Sequence, residues 1–449
     1  MTLLLVVLVF GGMIFLHELG HYLAARLFKI EVEEFGFGIP PRLWRFWRMP
    51  GSFQVGNHVI QIPANSDLSV DVNELEHRPV DLVLERKGER LVLQAMKLCE
   101  AQSDRYVLAH PTLTTQADGT LGLSGMVRDL RLGTEFTLNW LPLGGFVRPK
   151  GEGDPEIAGG LAAANPWKRL VVLFAGPFMN LLTAVVVMSV IIAQAGMPVP
   201  GKVLIEDVTP NSPAAQAGIQ AGDVLVAIAG QPVQEIQEAR NIIRANLDQP
   251  LEMTFERGGE RVTLIATPLS SRTPEQGALG VALSYPRRDA TLAEIITGGV
   301  TVTAVQSLNL LYVPIGLIQG AIAPEQARLV GLKGIYDFFG QAVERDAASR
   351  QESVVAPSGG MTTASSRPTN YVLSLVAMLS ISLGVMNLLP IPALDGGRIL
   401  FTLPEIFFRR RIPPRLENVI NGVAFLLLIG LMLAVNLMDF ISPANISLP

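Results

Sequence analysis

Cysteine occurs once, at Cys99, so the chain forms no internal disulfide and no cysteine-based zinc cluster. Any metal would have to be held by histidine, aspartate or glutamate. Charge is thin as well: Asp, Glu, Lys and Arg make up 17% of the residues, where soluble domains carry about a quarter. The net charge of −5 comes with no basic block of the kind that grips polynucleotides, so no nucleic-acid partner is expected. What the chain has in quantity is apolar: 49% of the 449 residues are hydrophobic and the mean hydropathy is +0.37. That composition belongs to a membrane protein with the lipid bilayer as its solvent.

A spanning helix needs about 20 mostly apolar residues. Four stretches qualify: residues 1–27, Leu170–Val199, Tyr371–Leu394 and Val419–Met438. The first lacks the basic leader and small-residue cleavage site of a secretory signal, so it is expected to be retained. Lys29, Arg42, Arg45 and Arg48 follow it, Lys168 and Arg169 precede the second, and Arg398, Arg409, Arg410, Arg411 and Arg415 lie between the third and fourth. The positive-inside rule places these on the cytoplasmic side, with both termini and the region between spans two and three outside. Residues 297–324 are also long and uncharged. A crossing there would reverse span three and put its following arginines outside, so an outer interfacial helix, or one packed beside the neighbouring soluble module, is expected instead.

Inside the first span stands "HELGH", His17 to His21. An ionisable side chain at the centre of a bilayer costs roughly 2.5–3.5 kcal/mol on insertion scales, so such residues need partners or a purpose. Residues four apart share a helix face, and His17 and His21 can therefore aim two imidazoles at one ion, with Glu18 alongside. Isolated H-E-x-x-H matches are common in soluble chains; the apolar setting is what makes this one a metal candidate. Catalytic zinc sites usually have three protein ligands, and Asp395, in "NLLPIPALDGGRIL", is the best third donor. A plain turn aspartate is the alternative, Asp-Gly being a common turn pair. Pro390 and Pro392 should break the helix before it, and Gly396 and Gly397 permit a tight backbone beside an ion. His58, His77 and His110 lack this spacing and suit surface or turn roles.

Together with "FGFGIPPRLW" (35–44), "LPLGGFVRPKGE" (141–152) and "FAGPFMN" (174–180), these motifs resemble, in the same order, those of the site-2 proteases of bacterial RseP type, intramembrane zinc metalloproteases of peptidase family M50. The resemblance covers most of the chain. It implies Zn2+ held by His17, His21 and Asp395, Glu18 as general base, and Asn180 and Asn387 binding substrate backbone or stabilising the oxyanion. For the two asparagines an interhelical hydrogen bond is the competing reading. It further implies regulated intramembrane proteolysis of single-span membrane proteins, anti-sigma factors and signal-peptide remnants among them, in the cell's inner membrane.

The expected fold is a polytopic α-helical membrane protein of about four transmembrane helices, with an α+β PDZ domain inserted between helices two and three. Its parts are transmembrane helix 1 with HExxH (1–28), a cytoplasmic loop with a β-rich insertion (29–140), a membrane-associated β-hairpin and loop (141–167), helix 2 (168–196), the PDZ domain (201–285), an amphipathic interfacial region (286–350), a linker (351–369), helix 3 with DGG (370–397), a cytoplasmic loop (398–417) and helix 4 (418–438). The PDZ reading rests on "SPAAQAGIQAGDVLVAIAG" and the alternating strands after it; such modules grip extended peptides by strand addition, whereas the family resemblance implies a module outside that filters substrates by bulk. In the insertion, "LVLERKGERLVLQAM" (82–96) echoes the strand pair at 253–267, and a hairpin is favoured over a second complete PDZ. A catalytically silent PDZ scaffold would have no use for Glu18 in a greasy helix, and a metal transporter would string polar residues along several spans rather than gather them at one depth.

Overall fold

The computed structural model describes residues 2–66, 75–99, 111–117, 119–271, 277–322, 329–355 and 370–441. Its long helices are α1 (Thr2–Leu27), α2 (Pro166–Ala195), α3 (Leu292–Ile318), α4 (Leu332–Val355), α5 (Tyr371–Leu388), α6 (Asp395–Phe408) and α7 (Pro414–Ile441). Five of them, α1, α2, α3, α5 and α7, are long and apolar enough to cross a membrane. The chain packs as two compact units, one of Met1–Thr183, Leu310–Tyr336 and Ser380–Asn445, the other of Ala184–Asn309, Asp337–Leu379 and Ile446–Pro449.

In the first unit, glycines let helices touch backbone to backbone. A Cβ on Gly20 would stand 2.3 Å from the Ala175 carbonyl oxygen, and one on Gly384 would meet the Leu181 side chain at 2.9 Å and the Pro177 carbonyl at 3.1 Å. Without a hydrophobic drive inside lipid, such close packing is what joins helices. The chain leaves α1 through Lys29 and enters β1 (Val32–Arg48), which pairs with β8 (Glu135–Pro149). Both strands bend back on themselves: Phe35 pairs with Val147 on one side and Phe136 on the other, while Trp44, Arg45 and Trp47 pair with Leu138, Thr137 and Phe136. The outcome is a four-armed sheet with residues 145–149 at one edge. Trp44, Trp140, Ile39, Leu43 and Leu141 are exposed on it, a surface suited to the headgroup and acyl boundary. The expected membrane hairpin at 141–167 thus starts earlier, and takes its partner strand from the far flank of the insertion.

Between these strands lie β2 (Gly51–Val55), β3 (His58–Ile62), β4 (Pro79–Lys87), β5 (Arg90–Leu98), β6 (Thr114–Thr115) and β7 (Leu121–Arg131). Neighbours run β2-β3-β5-β4-β7, and β2 also pairs with β7, so the sheet closes into a small barrel with β6 on its outside. Alternation drives it: Val80, Leu82 and Leu84 of β4 point inward with Phe53, Ile60, Leu123 and Val127. The expected hairpin at 82–96 is present as β4–β5, but as two staves of this barrel. Closure removes the open edges that a lone hairpin would present.

In the second unit, residues 201–285 form an antiparallel sheet of β9 (Val203–Val208), β10 (Val224–Ile228), β11 (Leu251–Arg257), β12 (Glu260–Ala266) and β13 (Val281–Ser284), ordered β12-β11-β10-β9-β13. Two helices, Pro213–Ala217 and Ile236–Ala245, pack on it. Ser212 caps the first, its hydroxyl accepting from the Ala215 N–H, and Gly218 ends it at φ 81°. Asp223 is buried and takes two 2.6 Å hydrogen bonds from Arg257. The Ser189 hydroxyl of α2 donates to the Ile295 carbonyl of α3 at 3.2 Å, and a Cβ on Gly299 would lie 2.8 Å from the Val185 carbonyl, so the two helices run antiparallel there. Asn370, just before α5, donates to Gln194 near the end of α2.

Two boundaries differ from the sequence reading. Residues 395–408, expected as the end of a span and a loop, are helix α6, because Asp395 opens a new helix after the break at Pro390 and Pro392. Helix α4 continues to Val355, into the expected linker, of which residues 356–369 lie outside the described residues. Helix α3 exposes the apolar Ile296, Val300, Leu308 and Ile318 together with the polar Thr297, Thr301, Gln306 and Asn309.

Candidate metal centre

His17 and His21 project from α1 and Asp395 from the first turn of α6. Their ligand atoms all lie within 4.8 Å of one another, the one cluster of three such side chains among the described residues. The two Nε2 atoms are 3.2 Å apart, and Asp395 Oδ2 stands 3.1 Å from His17 Nε2 and 3.4 Å from His21 Nε2. An ion bound tetrahedrally at 2.0–2.1 Å sets its ligand atoms about 3.3–3.4 Å apart, so the spacing of this triangle fits one face of a zinc tetrahedron.

Hydrogen bonds behind the triangle fix which atoms face the ion. His21 Nδ1 donates to the Val172 carbonyl at 2.8 Å, which leaves its Nε2 lone pair for a metal. His17 Nδ1 lies 3.2 Å from the amide nitrogen Nδ2 of Asn180, a residue 1% exposed whose Oδ1 has no partner among the described residues. With that oxygen turned to the ring, Nδ1–H donates to it, the orphaned acceptor is satisfied, and the Nε2 lone pair is freed. Gly176 is required by the same packing, since a Cβ there would sit 2.3 Å from His21 Nε2.

The loop carrying Asp395 is held tightly. Cβ atoms on Gly396 and Gly397 would meet the Leu389 and Ile391 carbonyl oxygens at 2.1 and 2.4 Å. Ala393 is left-handed at φ 72°, and its N–H donates to Asn421 Oδ1 of α7 at 3.0 Å. Asn421 escaped the sequence reading, although an asparagine in the apolar run "VINGVAF" was the available signal. Asp395 at the first turn of α6 also gains from the positive end of that helix.

Glu18 stands outside the ligand triangle, and its Oε2 accepts the Val147 N–H at 2.9 Å from the edge arm of β8. Sequence reading did not connect the two. A cavity of about 350 Å³ is lined by His17, Glu18, His21, Asp395 and the 146–149 arm, with Arg398 ion-paired to Glu152 at its wall. Asn387 is half-buried in the last turn of α5, with no hydrogen-bond partner among the described residues. His58 starts a strand and His77 sits in a turn at φ 65°, both away from the cluster; His110 lies outside the described residues.

The model of peptidase family M50 matches residues 5–58 and 122–431. The chain belongs to this family. The gap in the match, residues 59–121, runs from β3 through β6 of the barrel. Zinc metalloprotease RasP of Oceanobacillus iheyensis is 27% identical over 460 residues, covering 98% of each chain. The RasP proteins of Geobacillus kaustophilus and Bacillus licheniformis are 27% and 28% identical, over 96% of each chain in the first case and 97% of this chain in the second. This M50 protein is a multi-pass membrane protein and a zinc metallopeptidase of the site-2 protease type.

Proposed function

We propose that the chain hydrolyses peptide bonds within the transmembrane segments of single-span membrane proteins, with His17, His21 and Asp395 as the zinc ligands and Glu18 as the general base. The observation that carries this reading is the triangle of three donor atoms at tetrahedral spacing with a fourth, non-ligating carboxylate beside it. Zinc, when bound, supplies Lewis acidity and makes a water readily deprotonated near neutral pH. Glu18 receives that proton, held in place by the Val147 N–H on one oxygen. Asn180 positions His17 rather than touching substrate, whereas Asn387 has a free amide for the substrate backbone.

A transmembrane helix has its amides already bonded, so a substrate must unwind before it can be cut. Residues 145–149 pair on one side only, with 32–37, and offer the unwound stretch an edge beside Glu18. The 201–285 module is read as a PDZ domain that filters substrates on the extracytoplasmic side of the inner membrane. Helix direction supports four crossings. Helix α5 starts beside the end of α2 and has Gly384 level with Pro177 near its beginning, so it runs opposite to α2. Helix α3 starts at that same outer end, and by Gly331 the chain meets Asp439 near the end of α7.

The test separates the two carboxylates. Glu18→Gln should abolish cleavage of a model single-span substrate and leave zinc content near one per chain; Asp395→Ala should lower both. Turnover by Glu18→Gln near the parent level would refute the base assignment, and full zinc content in Asp395→Ala would refute the ligand assignment.

A further inference from the structure

Beside the end of α1 lies a second cleft, about 540 Å³ in volume and separate from the metal pocket. Arg26, Lys29 and Ile30 line one wall, Ser52, Gln61 and Arg90 of the barrel another, with Arg131, Glu31 and Thr134 between. Four cations thus face one carboxylate. That carboxylate is already engaged, Glu31 taking Lys150 at 3.1 Å and Arg131 at 3.4 Å. Arg26, Lys29 and Arg90 have no acidic partner among the described residues.

The backbone supplies an independent sign. Lys29 ends α1 in the left-handed conformation at φ 60°, its N–H bonded to the Arg26 carbonyl and the Ile30 N–H to that of Ala25. Glycine is the residue that such a helix end favours, so a lysine there works against local stability. Its side chain delivers a charge to the cleft. Arg26 lies in the last turn of a spanning helix, which puts the cleft at headgroup depth.

We infer that this cleft binds the phosphate of an anionic phospholipid headgroup, which bridges α1 and the barrel and holds the barrel against the membrane surface. Charge-assisted hydrogen bonds from guanidinium and ammonium groups to phosphate are the chemistry, and Ser52 and Gln61 can donate to a polar headgroup.

The test uses the full chain in detergent, given phosphatidylglycerol or phosphatidylcholine, with retained lipid counted by native mass spectrometry. The parent should keep one phosphatidylglycerol and no phosphatidylcholine. Lys29→Gly and Arg90→Gln should each weaken retention about tenfold, the weight of one charge-assisted hydrogen bond. Lys29→Gly should do so with an unchanged or higher thermal midpoint, which a folding defect would not produce. Lys168→Gln with Arg410→Gln, cations that do not line the cleft, should leave retention intact. Equal losses in the two sets would mean general attraction to basic ends and overturn the site. Inorganic phosphate displacing the lipid at matching concentration would overturn the lipid as occupant.

Discussion

Replacing Asn180 by leucine removes a side chain of similar size whose amide meets His17 Nδ1 at 3.2 Å in a fully buried position. Nothing else among the described residues takes up that Nδ1, so the ring loses both its orientation and the acceptor that keeps its Nε2 lone pair toward the ion. Loss of such an outer partner typically lowers metal affinity 10–100-fold, or about 1.4–2.7 kcal/mol. Leucine also takes away a buried amide whose oxygen depends on His17 alone, so the fold itself should hold. Zinc affinity, measured by competition with a chromogenic chelator, should fall by that factor, and excess zinc should restore kcat. An asparagine that bound substrate or stabilised an oxyanion would behave in the opposite way, with zinc affinity unchanged and the loss beyond rescue by zinc. Unchanged affinity in Asn180→Leu would refute the positioning role.

Asn421→Leu should likewise weaken zinc binding, because the Ala393 N–H loses its acceptor and the strained loop before Asp395 relaxes; chelator competition checks it, and parent-like affinity would show that the loop holds itself. Burial pushes the Glu135 carboxyl up, but the hydrogen bond from Arg48 and the charges of Arg48 and Arg42 outweigh it and hold the group below the usual carboxylate range. Its stabilisation of the β1–β8 sheet is therefore complete above the unfolded value of about 4.3 and fades as pH falls through the lowered folded value. Amide protection in β8 should differ between the parent and Glu135→Gln at pH 6 and converge as the pH drops below that range; a difference independent of pH would sink the assignment. With Cys99 replaced, single cysteines at Thr291 and Leu332 should both react with an impermeant thiol reagent from outside, and labelling of only one would mean that α3 crosses.

The sequence by itself determined whatever depends on near neighbours. Apolar runs of spanning length, the i, i+4 pairing of His17 and His21, the break at Pro390 and Pro392, and the strand alternation of 203–285 are each set within a few turns of chain, so they are legible from residue type and spacing. Asp395 was legible too, because a lone carboxylate after an apolar run demands a partner. Tertiary structure alone decided what joins distant segments. That Val147 holds Glu18, Val172 orients His21 and Asn421 pins the loop at Ala393 are contacts across 129, 151 and 28 residues, and each of them uses a backbone group on one side, which side-chain pattern does not mark. Closure of the barrel is a matter of β2 finding β7, and the helix at Asp395–Phe408 depends on where the preceding break lets a new one start. Side-chain pattern records which face is buried but not which remote partner buries it, and for that reason the candidate ligands could be read before folding while the groups that aim them could not.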